Sequence, residues 1–172
     1  MIIQKIIKSF KKRFYHPLKY AKEVGVTIGN NCSIRTRDFG SEPYLITIGN
    51  NVEVAARVRF YNHGAAWLLR DLDPKFDFFG KIEIGNNVYI GENSIILPGV
   101  TIGDDVLIGA GSVVTKSIPN GVIVGGNPAR IIGDLGKFRA KIFAYNLSIK
   151  NLSPREKKMF LLSLSEDKFI KK

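Results

Sequence analysis

Isoleucine or valine recurs every six residues at Ile84, Ile90, Ile96, Ile102, Ile108 and Val114. Four residues after each stands a second set, Val88, Ser94, Val100, Val106, Ser112 and Ile118, small or β-branched. Glycine follows the lead residue at Gly85, Gly91, Gly103 and Gly109. A helix wants apolar residues at a period of 3.6, and an isolated strand a period of two. A period of six fits neither. It fits a coil of short parallel strands joined by tight turns, each repeat forming one side. The lead residue and the residue four later then point inward. Gly85-Asn86-Asn87 and Gly103-Asp104-Asp105 fall where the chain turns, and Asn and Asp tolerate the left-handed conformation there. One repeat alone buries nothing, whereas stacked repeats bury a continuous apolar column.

The rhythm begins earlier and is broken twice. Ile28-Gly29-Asn30-Asn31-Cys32-Ser33 and the run from Ile34 make a first coil, with repeats starting near Val24. Ile34 to Ile48 is fourteen residues, two more than two repeats, and the polar stretch Arg35 to Pro43 reads as a loop near one corner. Ile48 and Val54 resume the pattern and lead to Phe60. The interval 61–81 then shows no repeat. It holds Trp67, the only tryptophan, and His63, the only histidine inside the repeat region. A long interruption in a regular solenoid marks a functional loop or a tolerated decoration.

The two ends read as helical. Ile2, Ile3, Ile6, Ile7, Phe10 and Phe14 share one side of a helix, with Lys5, Lys8, Lys11, Lys12 and Arg13 mostly on the other. This helix suits packing on the base of the coil or on a neighbouring subunit, or lying on a membrane surface. His16 precedes Pro17 in a linker and receives no role. Past Ile132, Leu135, Phe138, Ile142 and Phe143 suggest an amphipathic helix, and Ser153-Pro154-Arg155-Glu156 reads as a capping box opening a second one. The chain therefore divides into a basic helix at 1–22, a repeat domain at 23–132 and a helical extension at 133–172.

Charge follows the same division. The net +11 comes from the ends: residues 1–22 carry seven basic residues and no acid, and residues 137–172 carry ten basic and three acidic. The repeat core is mildly acidic, so the pattern argues against a nucleic-acid reader, which carries its basic face on the folded core. No apolar run approaches the ~20 residues a membrane span needs. Lys5 and Lys8 interrupt Met1 to Phe10, which does not read as a signal peptide. The single cysteine, Cys32, excludes an internal disulfide framework and suits a reducing cytoplasm. It stands at an inward position and reads as a core thiol. With two histidines and one cysteine, no zinc-type ligand cluster is expected.

The repeat, with its ending VVTKSIPNGVIVGGNPARII at Val113 to Ile132, resembles the hexapeptide-repeat acyltransferases. The resemblance covers roughly Val24 to Ile132. It implies an all-β solenoid, a left-handed parallel β-helix, acting with acetyl-CoA as co-substrate. It also implies a homotrimer with the co-substrate between subunits. In this family a histidine opening such an excursion serves as general base, which carries over to His63 in Phe60-Tyr61-Asn62-His63-Gly64. An imidazole takes the proton of a hydroxyl as its oxygen attacks a thioester carbonyl. Many relatives read His-Asp-Gly where this chain reads His63-Gly64-Ala65, so the acid beside the histidine is missing. Glu53, Asp71, Asp73, Asp77 or a backbone carbonyl are the candidates to orient the ring. Tyr61, Asn62 and Trp67 are the candidate acceptor contacts. The resemblance assigns Tyr89, Gly91 and Ala110 to the pantetheine arm, Thr115 and Lys116 to the adenine end, and Arg130 to the phosphates.

The acceptor implied is a sugar or glycan hydroxyl in surface polysaccharide biosynthesis. Ser41-Glu42-Pro43-Tyr44, the excursion motif and the basic tails resemble capsule or lipopolysaccharide O-acetyltransferases. N-acetylation of a nucleotide-linked amino sugar, acetylation of a drug, and a non-catalytic β-helix scaffold stay open as alternatives. The expected setting is cytoplasmic, with peripheral membrane contact through the basic tails.

Overall fold

The computed structural model describes residues 14–171, and the chain divides into two compact units, Met1–Leu135 and Gly136–Lys172. The N-terminal amphipathic helix expected over 1–14 lies outside the described residues apart from Phe14.

The first unit begins with α1 (Pro17–Glu23), which has proline in its first turn and no side-chain cap from His16. Tyr20 and Ala21 of α1 are buried in the same apolar core as the strands that follow. Eleven short strands then run in order: β1 (Thr27–Ile28), β2 (Ser33–Ile34), β3 (Ile46–Ile48), β4 (Glu53–Val54), β5 (Arg59–Phe60), β6 (Ile82–Ile84), β7 (Tyr89–Ile90), β8 (Ile95–Ile96), β9 (Thr101–Ile102), β10 (Leu107–Ile108) and β11 (Val113–Val114). The chain visits three sheets in rotation. The first sheet has the order β1-β3-β6-β9, the second contains β2-β4-β7-β10, and the third is β5-β8-β11. All pairings among these strands are parallel. β12 (Val122–Gly125) adds a last parallel strand to the second sheet, and β13 (Arg130–Asp134) closes that edge by pairing antiparallel with β12. The closing strand thus runs to Asp134, two residues past Ile132, and protects a backbone edge.

Six-residue periodicity forces this arrangement. Every lead residue from Ile84 to Val114 is at most 3% exposed, and the companions four later are equally hidden up to Ile118 at 7%. Burying each isoleucine contributes about 1.5–3 kcal/mol. The turns stack as regularly as the strands. Asn31, Asn51, Asn87 and Asp105 take left-handed φ of 55–56° at one corner. Their neighbours form a ladder: Asn30 N–H donates to Asn50 Oδ1 (2.8 Å), Asn50 N–H to Asn86 Oδ1 (2.9 Å), Asn86 N–H to Asp104 Oδ1 (2.6 Å) and Asp104 N–H to Asn120 Oδ1 (2.9 Å). Each side chain thereby satisfies a turn N–H that no strand reaches.

The ladder also measures the circuits. Neighbouring rungs differ by 18 residues in the regular part, by 20 between β1 and β3, and by 36 between β3 and β6. The additional residues leave at one corner, where the third sheet gives way to the first. One departure is the loop after β2, containing a 3₁₀ turn at Pro43–Leu45; the other is the excursion 61–81.

The second unit contains most of α2 (Leu135–Phe143) and all of α3 (Pro154–Ser163). Ser153 and Glu156 close the capping box at α3, and the hydrogen bonds from Ser153 hold the Glu156 carboxyl below its usual value. No described helix is long and apolar enough to cross a membrane.

Candidate active site

The two irregular segments meet at His63. Phe60 ends β5 inside the core and stacks on Phe39 of the loop after β2, with ring centroids 5.5 Å apart and planes 9° off parallel. Tyr61 N–H still donates to Ile96 O (2.9 Å), continuing the third sheet by one bond. The chain then leaves. The excursion is clamped at its base: Gly80 N–H donates to Asn62 O (2.7 Å), and His63 bridges Phe79 in antiparallel fashion. The His63 ring meets Phe79 edge-on at 5.4 Å. Gly80 is required here, because a Cβ would stand 2.2 Å from Gly99 N. His63 is therefore fixed by the neck of the excursion, while the tip is exposed.

Glu42 approaches from the other segment. It precedes the 3₁₀ turn, which starts with proline at Pro43, and its Oε2 stands 2.7 Å from His63 Nδ1. The Glu42 side chain is 15% exposed and that of His63 37%. A carboxylate only accepts, so in the neutral imidazole Nδ1 carries the hydrogen and Nε2 the lone pair. The ring is thus held by Glu42 and not by Glu53, Asp71, Asp73 or Asp77. Glu53 pairs with Arg35 (3.6 Å). Asp73 Oδ1 accepts from Lys75 N–H (2.9 Å), and Asp77 Oδ1 from Phe78 N–H (3.0 Å), each serving its own loop. The stacking of the circuits places Glu42 beside His63. Two breaks in a stacked coil, one circuit apart at one corner, lie beside one another.

Gly40, Ser41, Tyr61, Asn62 and His63 line a cavity of about 390 Å³. Tyr61 is 42% exposed and forms part of this wall. Asn62 differs from the expected acceptor contact: it is 1% exposed, and both polar atoms of its amide are covered and unpartnered. Gly40 lies over it, since a Cβ at Gly40 would stand 2.7 Å from Asn62 Oδ1. Trp67 is 75% exposed in the 3₁₀ turn Ala66–Leu69 and does not line the cavity.

The residues expected at the co-substrate fall on two sheets. Tyr89 projects from β7 of the second sheet at 40% exposure, with Gly91 just after it. Ala110 follows β10, one rung along. Gly91 serves the stack itself, because a Cβ there would meet Ala110 N at 2.5 Å. Arg130 is exposed on β13 at the edge of the same sheet. Thr115 and Lys116 are exposed beyond β11 of the third sheet. That strand end is also where Tyr61 leaves, since Leu97 N–H donates to Val114 O (3.1 Å) just as Tyr61 does to Ile96. The third sheet thus brings Thr115 and Lys116 to the same side as His63. Tyr89, Gly91, Ala110 and Arg130 belong to another face.

Comparison with known proteins follows the same division. The family model described as bacterial transferase hexapeptide (six repeats) matches residues 81–116, the regular stack. The chain is 50% identical over 146 residues to Protein CapG of Staphylococcus aureus, covering 83% of this chain and 85% of that protein. It is 39% identical over 121 residues to the galactoside O-acetyltransferase of Escherichia coli (strain K12), covering 69% of this chain but only 59% of that protein, less than two thirds of its length. Among solved structures, a galactoside acetyltransferase in complex with coenzyme A superposes with a TM-score of 0.60 at 28% identity, covering 80% of this chain and 82% of the other.

Proposed function

The chain belongs to the hexapeptide-repeat acetyltransferases, and from that premise we propose that it moves an acetyl group from acetyl-CoA to a sugar hydroxyl during surface polysaccharide biosynthesis, with His63 as general base. The coil is the left-handed parallel β-helix of the family. The observation that carries the catalytic reading is the 2.7 Å contact between His63 Nδ1 and Glu42 Oε2 at the wall of a cavity.

The chemistry follows from that contact. The acceptor hydroxyl attacks the thioester carbonyl, and His63 Nε2 takes its proton as the new C–O bond forms. Glu42 keeps the ring in the required tautomer and stabilises the imidazolium through Nδ1–H. The tetrahedral intermediate collapses with cleavage of the C–S bond, and the imidazolium returns the proton to the departing thiolate. The products are a sugar acetate and free CoA thiol. Both substrates meet in one cleft, so no acyl-enzyme forms and neither Cys32 nor a serine acts as nucleophile.

Arg130 and Lys116 are exposed cations suited to the CoA phosphates, and Tyr89 offers a face to the pantetheine arm. Their division between two sheets supports a homotrimer, in which one subunit supplies the face with Tyr89 and its neighbour the side with His63. The two sheets then contribute to two different clefts on the same chain.

Thiol release from acetyl-CoA over a panel of sugars tests this reading. His63→Ala lowers the rate by about 10²-fold or more while leaving the protein folded. An unchanged rate removes the imidazole from the mechanism. Absence of thiol release with every acceptor would favour the scaffold.

A further inference from the structure

A second cleft adjoins the cavity at His63, and Gly40 and Tyr61 line both. It measures about 450 Å³ and lies between α1, which contributes Tyr20, and the loop after β2. Its floor is the stacked pair Phe39 and Phe60, rigid because both rings are at most 2% exposed. Three charged residues stand at its walls: Arg37, Asp38 and Arg59.

Their situations differ. Arg37 is tethered, its Nη2 donating to Tyr15 O at 2.7 Å and its Nε to the same oxygen at 3.2 Å. Asp38 lies beside Arg59 through a parallel backbone β-bridge, and it has an interaction of its own. Elsewhere on the coil, Arg35 pairs with Glu53, and Arg57 pairs with Glu92 and Asn93. The Arg59 guanidinium, exposed in the cleft, makes no ion pair or hydrogen bond with any described residue. Its planar fork matches the oxygens of a carboxylate or a phosphate.

We propose that the acceptor carries an anionic group beside the sugar that is acetylated, and that Arg59 receives this group while the sugar hydroxyl lies at His63. The inference rests on the acetyl-transfer reading above and adds the acceptor's class. The anion is a carboxylate, as in a uronic acid, or a phosphate, as in a glycosyl diphosphate. Tyr61, at the junction of the two clefts, offers its ring to the sugar between them.

The test is steady-state acetylation by the full chain with three matched acceptors: a neutral methyl glycoside, its uronate, and the same sugar as a nucleotide diphosphate conjugate. At least one anionic acceptor has a kcat/KM about tenfold above that of the neutral glycoside. Arg59→Gln, at an exposed position, lowers that acceptor's kcat/KM about tenfold through KM, with a smaller loss for the neutral glycoside. The KM of the preferred acceptor rises with ionic strength, as a charge-reading site requires. Which anionic acceptor responds tells carboxylate from phosphate. Equal kinetics for neutral and anionic acceptors, or an equal loss in all arms on Arg59→Gln, overturns the anion site while leaving acetyl transfer intact. Turnover of none of them overturns the transfer reading as well.

Discussion

The regular stack and the two segments that interrupt it obey different rules. From Ile82 to Ile118 each residue's surroundings repeat every 18 positions: a lead residue lies between two others like it, and a turn asparagine or aspartate receives an N–H from the rung before it. At Arg35 to Pro43 and at 61–81 nothing repeats. There Phe39 meets Phe60, Gly40 covers Asn62, and Glu42 meets His63 across a sequence separation of 21. The stack supplies rigidity and a fixed corner; the breaks at that corner supply the His63–Glu42 contact on which the proposed proton transfer rests. Regularity in a solenoid thus serves chiefly to aim what departs from it.

Substitutions separate the two roles. The largest effect is that of His63→Ala, a loss of activity of about 10²-fold or more with melting behaviour retained. Ile96→Ala does the reverse. It opens a cavity at a fully buried lead position and costs about 2–5 kcal/mol of stability, read by denaturant unfolding, with little effect on the rate of the protein that remains folded. A variant of the stack that lost activity in proportion to its catalytic loop would erase the distinction.

Glu42→Ala sharpens it. This side chain lies outside the periodic core, so stability changes little, yet kcat falls by about 10–10²-fold because the ring loses its tautomeric control. An acceptor KM that rose while kcat held would assign Glu42 to binding instead. The smallest effect belongs to the turn ladder. Asn86→Ala removes the acceptor for Asn50 N–H and the amide donor to Asp104. It costs about 1–2 kcal/mol, seen as faster hydrogen exchange at that corner. Exchange unchanged at Asn50 would show the ladder to be incidental.

This contrast also explains what the sequence made legible. The lead residues and their companions could be read because burial along a solenoid is a local property, set by position within six residues. The strand over Ile82–Ile84 and the departure at 61–81 follow from where that rhythm stops and restarts. The capping box at Ser153 was legible for the same reason, being four consecutive residues. Glu42 was not, because its role depends on which rung lies over which, and the two additional residues that place it carry no periodic mark. The sequence left Glu53, Asp71, Asp73, Asp77 and a backbone carbonyl open, with nothing to choose among them. The structure gives Glu53 to Arg35, and Asp73 and Asp77 to their own loop amides. The burial of Asn62 was not legible for a related reason. A polar residue beside the base invites a contact with substrate, but Gly40, from a distant segment, covers its amide.

The central claim is that Glu42 fixes His63 with its hydrogen on Nδ1 and its lone pair on Nε2. Nitrogen-15 NMR of the imidazoles reads this directly, and with only two histidines in the chain the signals are assignable by a His16→Gln variant. The account predicts that neutral His63 is the Nδ1–H tautomer in the native protein and that Glu42→Ala shifts it toward Nε2–H. A native His63 already in the Nε2–H form, unmoved by Glu42→Ala, would contradict it.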